Sequence, residues 1–388
     1  MLEPKIRINI FKDSLWELKT IVNFVLEIGT GKSEYIINDY SIKNSFPILG
    51  STSIIGFDNS FDYSGDFILT ARVGANAGEI YKFSGEAKIT DNTVYIKSNC
   101  LDYLYYSLLH YNLKRLSFGT GQPLIKTSEL KKIKIFFPSS IEQTAIGSLF
   151  RTLDDLLASY KDNLANYRSL KATMLSKMFP KAGQTVPEIR LDGFEGEWEN
   201  IRLGDCAIIK GRLGWKSLKQ EEYTEVGPSM IAGKHIKNGV IDWGKVDHIP
   251  QWRYDESPDI MLEEGDIIFS KDGSLGNPAL VSNLKGEATI NSTMMLVRLD
   301  KEVSSQFFYQ ILTSSVFQKL IYLKVSGSSI PHLFQADMQD FKFYAPSIDE
   351  QQAIGAYFSN LDNLIAAHQE KISQLETLKK KLLQDMFI

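Results

Sequence analysis

The 388-residue chain contains two cysteines, five histidines and no apolar run near the ~18 residues that a membrane span needs. Cys100 and Cys206 lie one in each half, which predicts buried thiols in a reducing cytoplasm rather than a disulfide framework or a zinc site. Met1-Leu2-Glu3-Pro4-Lys5 meets charge at once and no small-residue cleavage site follows, so no secretory leader is expected. An excess of one charge is also missing: the net charge is −4, with residues 1–137 at +2, 138–183 at +2, 184–344 at −6 and 345–388 at −2. Such a chain can meet nucleic acid only through local basic loops, or with charge lent by partner subunits.

Catalytic signatures are absent as well. Asn277-Pro278-Ala279 does not continue into the Asn/Asp-Pro-Pro-Tyr/Phe of amino-methyltransferases. Pro258-Asp259 lacks a spaced Glu/Asp-x-Lys, and there is no His-Glu-x-x-His or strand-following glycine fingerprint. Gly29-Thr30-Gly31-Lys32-Ser33 resembles the tail of a P-loop, but Leu26 stands where the first glycine belongs. The expectation is a chain without catalysis, cofactor or metal of its own.

What the chain does have is a repeat. Pro138-Ser139-Ser140-Ile141-Glu142-Gln143-Thr144-Ala145-Ile146-Gly147 returns 208 residues later as Pro346-Ser347-Ile348-Asp349-Glu350-Gln351-Gln352-Ala353-Ile354-Gly355. The register holds without a gap to Met178-Phe179 and Met386-Phe387, with 17 identities in 42 positions. Each copy opens on Ser-x-x-Glu, a capping box in which the serine accepts the N3 amide and the glutamate reaches back to the cap amide. The preceding proline stops backward growth of the helix.

Apolar residues then recur at Leu149, Leu153, Leu156, Tyr160, Leu164, Tyr167, Leu170, Met174 and Met178. The partner stripe is Tyr357, Leu361, Leu364, His368, Ile372, Leu375, Leu378, Leu382 and Met386. The mean step of about 3.6 is that of a straight helix, and about 38 residues span roughly 57 Å. One apolar stripe on so long a helix needs a partner, and the other copy supplies it as an antiparallel, pseudo-twofold pair. Leu153, Leu156, Tyr160, Leu164, Tyr167, Leu361, Leu364, His368, Ile372 and Leu375 are the expected helix-pair and partner interface. His368 reads as a packed, hydrogen-bonded side chain. Pro180 to Pro187 reads as a linker.

The segments ahead of the helices are related more loosely. Trp16 and Trp198 are 182 apart; Gly65-Asp66-Phe67-Ile68-Leu69 and Gly265-Asp266-Ile267-Ile268-Phe269 are 200 apart. Glu86-Ala87-Lys88-Ile89 and Glu287-Ala288-Thr289-Ile290 are 201 apart, and the Gly-x-x-x-Pro segments at Gly119–Pro123 and Gly327–Pro331 are 208 apart. Such drift places the insertions in loops. Strands are predicted at 67–70, 93–96, 266–270 and 295–298, and one helix per domain near 101–112 and 305–323. Trp215, Trp243 and Trp252 read as core packing.

Trp with Leu-Gly-Asp, Gly-Asp-Ile-Ile, Gly-x-x-x-Pro, Pro-Ser-x-x-Glu-Gln-x-Ala-Ile and Leu-x-x-Met-Phe, in this order and duplicated, resemble the DNA-specificity subunit of a type I restriction-modification system. Val186-Pro187-Glu188-Ile189-Arg190-Leu191-Asp192-Gly193-Phe194 is similar to the lead-in of such a domain, and no lead-in is visible in the first half. The resemblance implies an α+β protein with two α/β target-recognition domains, 1–137 and 181–344. Each is followed by a helical spacer, 138–180 and 345–388. It implies a non-catalytic, cytoplasmic subunit that reads a bipartite, asymmetric site on double-stranded DNA. Two methyltransferase subunits would dock on it, and endonuclease-translocase subunits would join that core.

The candidate DNA-contacting residues lie in loops beside predicted strands. In the first half they are Lys32, Arg72, Asn76 and Gln122. In the second half they are Lys210, Arg212, Lys216, Lys219, Lys234, His235, Lys237, Lys271 and Ser274. Lys and Arg neutralise phosphates, glycines admit close backbone approach, and Arg and Asn can read base edges. Two rivals stand beside this reading: a single-chain enzyme, opposed by the missing motifs, and a helical scaffold that never touches DNA.

Overall fold

The computed structural model describes residues 4–11, 15–32, 34–116, 123–213, 218–326 and 331–388. In the first half these are β1 (Glu17–Thr20), β2 (Glu27–Thr30), β3 (Phe46–Leu49), β4 (Ile54–Asp58), β5 (Tyr63–Ala71), β6 (Ile80–Ile89), β7 (Thr93–Lys97), α1 (Leu101–Tyr111), α2 (Thr127–Lys132), β8 (Lys134–Phe137) and the long α3 (Ser140–Lys177). The second half runs β9 (Glu199–Arg202), α4 (Leu203–Cys206), β10 (Ala207–Gly211), β11 (Thr224–Ile231), β12 (Ile236–Lys237), β13 (Val240–Ile241), β14 (Asp247–His248) and α5 (Gln251–Asp255). It continues through β15 (Ile267–Ser270), β16 (Gly276–Leu280), β17 (Ala288–Ile290), β18 (Met294–Leu299), α6 (Ser305–Thr313), α7 (Ser315–Ser326), α8 (Gln335–Gln339) and β19 (Lys342–Ala345) to the long α9 (Ile348–Asp385). The four predicted strands are present. The helix expected over 305–323 is broken at Ser314, whose Oγ accepts the Val316 amide and starts α7 afresh.

The chain forms two compact units, Met1–Asp162 with His368–Ile388, and Asn163–Ala367. Both division points fall inside the long helices, which are 38 residues each. Each unit thus holds the N-terminal half of one long helix and the C-terminal half of the other. In unit 1 the six-stranded sheet has the order β2-β7-β5-β6-β3-β4, and β1 pairs with β8. In unit 2 the order β10-β18-β15-β16 forms one sheet and β14-β11-β17 another, with β9 paired to β19.

Inside each unit the helix halves run antiparallel. Lys379 pairs with Asp154, and Lys161 Nζ lies 2.7 Å from Glu376 Oε1 in unit 1, so a step forward along α3 is a step back along α9. Unit 2 repeats the first of these with Lys171 Nζ 2.5 Å from Asp362 Oδ1. In unit 1 the ring of His368 packs on Tyr160 at 5.3 Å between centroids.

The repeated motif acquires a physical meaning here. Ser139 Oγ accepts the Glu142 amide at 3.3 Å, as a cap should. The glutamate does not close the box. Glu142 and Glu350 are 0% and 1% exposed, and each carboxylate takes a bidentate arginine instead. Arg7 donates to Glu142 through Nε and Nη2, both at 2.9 Å; Arg190 donates to Glu350 at 2.8 and 2.7 Å. The glutamine that follows donates to the carbonyl of the preceding proline, Gln143 to Pro138 at 2.8 Å and Gln351 to Pro346 at 3.0 Å. Gly147 and Gly355 let the first turns of α1 and α6 approach, since a Cβ there would lie 2.9 Å from Asp102 Cβ and 2.8 Å from Gln306 Cβ.

Arg7 also corrects the sequence reading of the first half. Pro4-Lys5-Ile6-Arg7-Ile8 is the counterpart of Pro187-Glu188-Ile189-Arg190-Leu191. In unit 1 the Ile6 amide caps Asp385 O at 2.9 Å, and in unit 2 the Ile189 amide caps Lys177 O at 3.0 Å. The lead-in is therefore present in both halves, shortened to its working core. The Met-Phe that closes each helix is a core plug. Phe179 packs on Trp198, Phe307 and Phe358, and Phe387 on Tyr103, Phe150 and His110.

The apolar stripe is kept in part: Leu153, Leu164, Leu361 and Leu375 are buried and Tyr160, Tyr167, His368 and Ile372 half-buried, but other expected members are not. The buried line of α3 is Ile146, Phe150, Leu153, Leu157 and Leu164, while Leu156 and Leu170 are exposed. On α9 Leu361 and Leu375 are buried, Ile372 is half-buried, and Leu364 and Leu378 are exposed. The helices serve two neighbours: Tyr106 stacks on Phe150 at 4.8 Å, so the buried face turns toward α1 as well as toward the other helix.

Two outcomes follow. Arg190→Ala leaves the Glu350 carboxylate buried without its cation and lowers unfolding stability by about 3–5 kcal/mol, read by urea denaturation; a loss below about 1 kcal/mol contradicts the clamp. Leu375→Asp, at a position 6% exposed, gives insoluble or strongly destabilised protein, whereas Leu364→Asp, at 40% exposure, stays folded by circular dichroism.

Candidate nucleic-acid interface

Strand directions bring the candidate loops of each unit to one end of its sheet. In unit 2 both β10 and β15 run antiparallel to β18, so Gly211 and Ser270 end beside Met295 and Met294. β11 runs parallel to β17, whose end leads into β18. The loops after β10, β11 and β15 therefore meet. A Cβ on Gly233 would lie 2.6 Å from Ser270 Oγ, so the two loops approach closely there. Asn277 Nδ2 donates to the carbonyls of Gly233 and Ile236 at 3.3 and 3.4 Å and ties the same loops together.

On this end of unit 2, Lys219, Lys234, Lys237 and Ser274 are exposed. Lys234 Nζ lies 2.8 Å from Asp247 Oδ2, and the half-buried Lys271 holds its Nζ 3.5 Å from Asp272 Oδ2. The half-buried Lys210 reaches Asp259 at 3.7 Å. Lys216 and Trp215 lie outside the described residues. Trp252, expected in the core, is exposed and carries the Arg253 guanidinium over its ring at 4.6 Å. Trp243 donates to Ser282 O at 3.0 Å.

Two of the basic candidates are interior residues. Arg212 and His235 are each 3% exposed. Arg212 donates to Ile290 O at 3.0 Å, Ser257 Oγ at 3.3 Å and Thr289 Oγ1 at 3.4 Å. Burial holds its guanidinium below the ordinary value. His235 Nδ1 accepts the Ala232 amide at 3.0 Å, and burial lowers its basicity against the pull of Asp247. These side chains brace the loops that carry Lys219, Lys234 and Lys237; they are not on the surface that could meet a duplex.

Unit 1 follows the same plan. β2 and β5 run antiparallel to β7, and both end where β7 begins. Lys32 is exposed, and its amide donates to Ile89 O at 2.8 Å. Gly31 is wedged there, since a Cβ would lie 2.2 Å from Ile89 O. The Gly-Thr-Gly-Lys run is thus the end of β2 and the closely packed residues that follow it. Asn76 is exposed; Gln122 and Ser33 lie outside the described residues. Arg72 is half-buried, with Nε buried and without a hydrogen-bond partner, while a guanidinium keeps further donors to offer.

The sequence reading missed one pair on this surface. Asp272 forms an isolated bridge with His332, and its carboxylate contacts His332 Nδ1. The corresponding bridge in unit 1 joins Val73 and Leu124. Alignment of Pro123-Leu124-Ile125-Lys126 with Pro331-His332-Leu333-Phe334 at the 208 offset carried the signal.

The family model for the type I restriction modification DNA specificity domain matches residues 17–166 and 195–377. The chain is 24% identical to the type I restriction enzyme MjaVIII specificity subunit of Methanocaldococcus jannaschii, over 95% of this chain and 91% of that one. It is 25% identical to the MjaIX specificity subunit of the same organism, over 73% and 67% of the two chains. The fold is similar to a crystal structure of a type I restriction-modification S subunit from M. genitalium, with a TM-score of 0.73 and 18% identity over 100% of this chain and 99% of that one.

Arg212→Ala is expected to lower stability by about 2–3 kcal/mol, because three acceptors lose their donor. Lys219→Ala and Lys237→Ala should stay within about 0.5 kcal/mol of the parent. Thermal unfolding of the three variants checks this; equal melting for all would place Arg212 at the surface.

Proposed function

The chain belongs to the type I restriction-modification DNA specificity family, and within it we propose that the two units read the two halves of a split DNA site. It is a specificity subunit, which acts with DNA and the restriction-modification complex. Residues 1–137 and 181–344 are the readers. Residues 138–180 and 345–388 are the spacer, on which two methyltransferase subunits dock and to which endonuclease-translocase subunits are added.

One observation carries this reading. The long helices keep one register at offset 208, while the strand-end loops ahead of them carry different side chains on a common plan. A shared frame with divergent loops suits two readers of different half-sites. The contact set is Lys32, Arg72 and Asn76 in the first reader, and Lys210, Lys219, Lys234, Lys237, Lys271 and Ser274 in the second. Lysines position the backbone, and Arg72 and Asn76 have the donors to read base edges. The second reader is acidic, with 17 basic and 23 acidic side chains over residues 184–344. Its methyltransferase partner therefore lends the positive charge that it lacks. A 38-residue helix is roughly 57 Å long against about 34 Å for a DNA turn, which suits half-sites a turn or more apart.

Deleting Lys161–Leu164, about one helical turn, is expected to change the recognised spacer length and to leave both half-sites intact. Methylome sequencing of a host carrying the variant reads this directly. Altered half-sites with an unchanged gap would overturn the assignment of ruler and readers.

A further inference from the structure

One backbone frame recurs at the sheet end of both units, and the side chains mounted on it differ. In unit 1 the Arg72 amide donates to Asn92 O at 3.0 Å, and the Ile125 amide donates to Arg72 O at 2.8 Å. In unit 2 the Lys271 amide donates to Thr293 O at 2.8 Å, and the Leu333 amide donates to Lys271 O at 2.9 Å. The next residue of each loop makes the bridge, Val73 to Leu124 and Asp272 to His332. An apolar pair therefore suffices to hold the frame. The carboxylate and imidazole of unit 2 are more than the fold requires.

The pair is held from three sides. Asp272 Oδ1 meets His332 Nδ1, and Lys271 Nζ lies 3.5 Å from the other carboxylate oxygen. The imidazole packs on Phe334 at 4.3 Å between centroids, and Phe334 is 59% exposed. Unit 1 has Lys126 at the position of Phe334. In the neutral ring Nδ1–H donates to the carboxylate, which fixes the tautomer and leaves Nε2 as an acceptor. Asp272 and His332 are both partly exposed.

Resting on the DNA reading above, we propose that His332 determines specificity in the second reader by accepting a hydrogen bond from an exocyclic base amine, adenine N6 or cytosine N4, in the major groove. Asp272 is its positioning residue. Adenine and cytosine are the bases that present an amine there, so this acceptor discriminates against guanine and thymine. The same place in unit 1 offers Val73 and Leu124, which suit a thymine methyl, and Lys126, which suits a phosphate. The two half-sites then differ here because an ionisable pair replaced an apolar one on an unchanged frame.

The test uses the full chain assembled with its methyltransferase subunits and a duplex library randomised in both half-sites. His332→Ala should lose about tenfold to hundredfold discrimination at one position of the second half-site, with the first half-site and remaining positions unaltered. Asp272→Asn should weaken the same position, and Asp272→Glu should restore part of it. The double variant Asp272→Val with His332→Leu copies the pair of unit 1, so it keeps the frame and should show the same single-position loss. Unchanged preference in the double variant, or a loss spread evenly over all positions, overturns the assignment. Absence of any preference in the parent complex would instead overturn the DNA reading on which it rests.

Discussion

A buried carboxylate that must be neutralised organises each unit. Glu142 and Glu350 sit in the first turn of a long helix, where exposed amides favour negative charge, yet both are closed off from water. Such a group is tolerable only with a paired and hydrogen-bonded cation. The cation comes from the lead-in strip, Arg7 in one unit and Arg190 in the other, and the same strip caps the C-terminal carbonyls of the second helix half. One short segment thus ties a helix start to a helix end. The Met-Phe plugs complete the joint, burying Phe387 beside Phe150 and Phe179 beside Phe358.

The joint also seats the strand pair next to it in each unit. Trp16 packs on Tyr103 and Trp198 on Phe307, and the strand pairs β1–β8 and β9–β19 lead into the long helices. The loops at the far ends of the strands lie outside this constraint. They can exchange Val73 and Leu124 for Asp272 and His332 while the backbone frame remains. A rigid base with replaceable tips is the arrangement that sequence reading of DNA requires, since phosphate contacts position and side chains at base edges specify.

Much of the fold was legible beforehand. The repeat, the long helices, their antiparallel pairing and the strands at 67–70, 93–96, 266–270 and 295–298 follow from period and motif. Several details were not. Leu156 and Leu157 are adjacent apolar residues, and periodicity alone chose the wrong one, because the helix packs on α1 as well as on its partner. Glu142 looked like half of a capping box until Arg7, 135 residues away, claimed its carboxylate. Arg212 and His235 looked like loop cations, because nothing local reveals that Ile290, Thr289 and Ser257 close over the one and Ala232 bonds the other.

The amino-acid sequence by itself determined the duplication, the frame and the family, since each rests on order and spacing along one chain. Hydrophobic period, caps and motif spacing are local quantities, and a single sequence displays them fully. Only the tertiary structure decided which charges are buried braces and which stay at the surface. Burial and pairing depend on residues brought together from distant positions: Arg7 with Glu142, Arg212 with Ile290, and Asp272 with His332. The same lysine or arginine signature describes a solvated cation and a buried one. The difference between them is desolvation, which no stretch of sequence carries until the fold has closed around it.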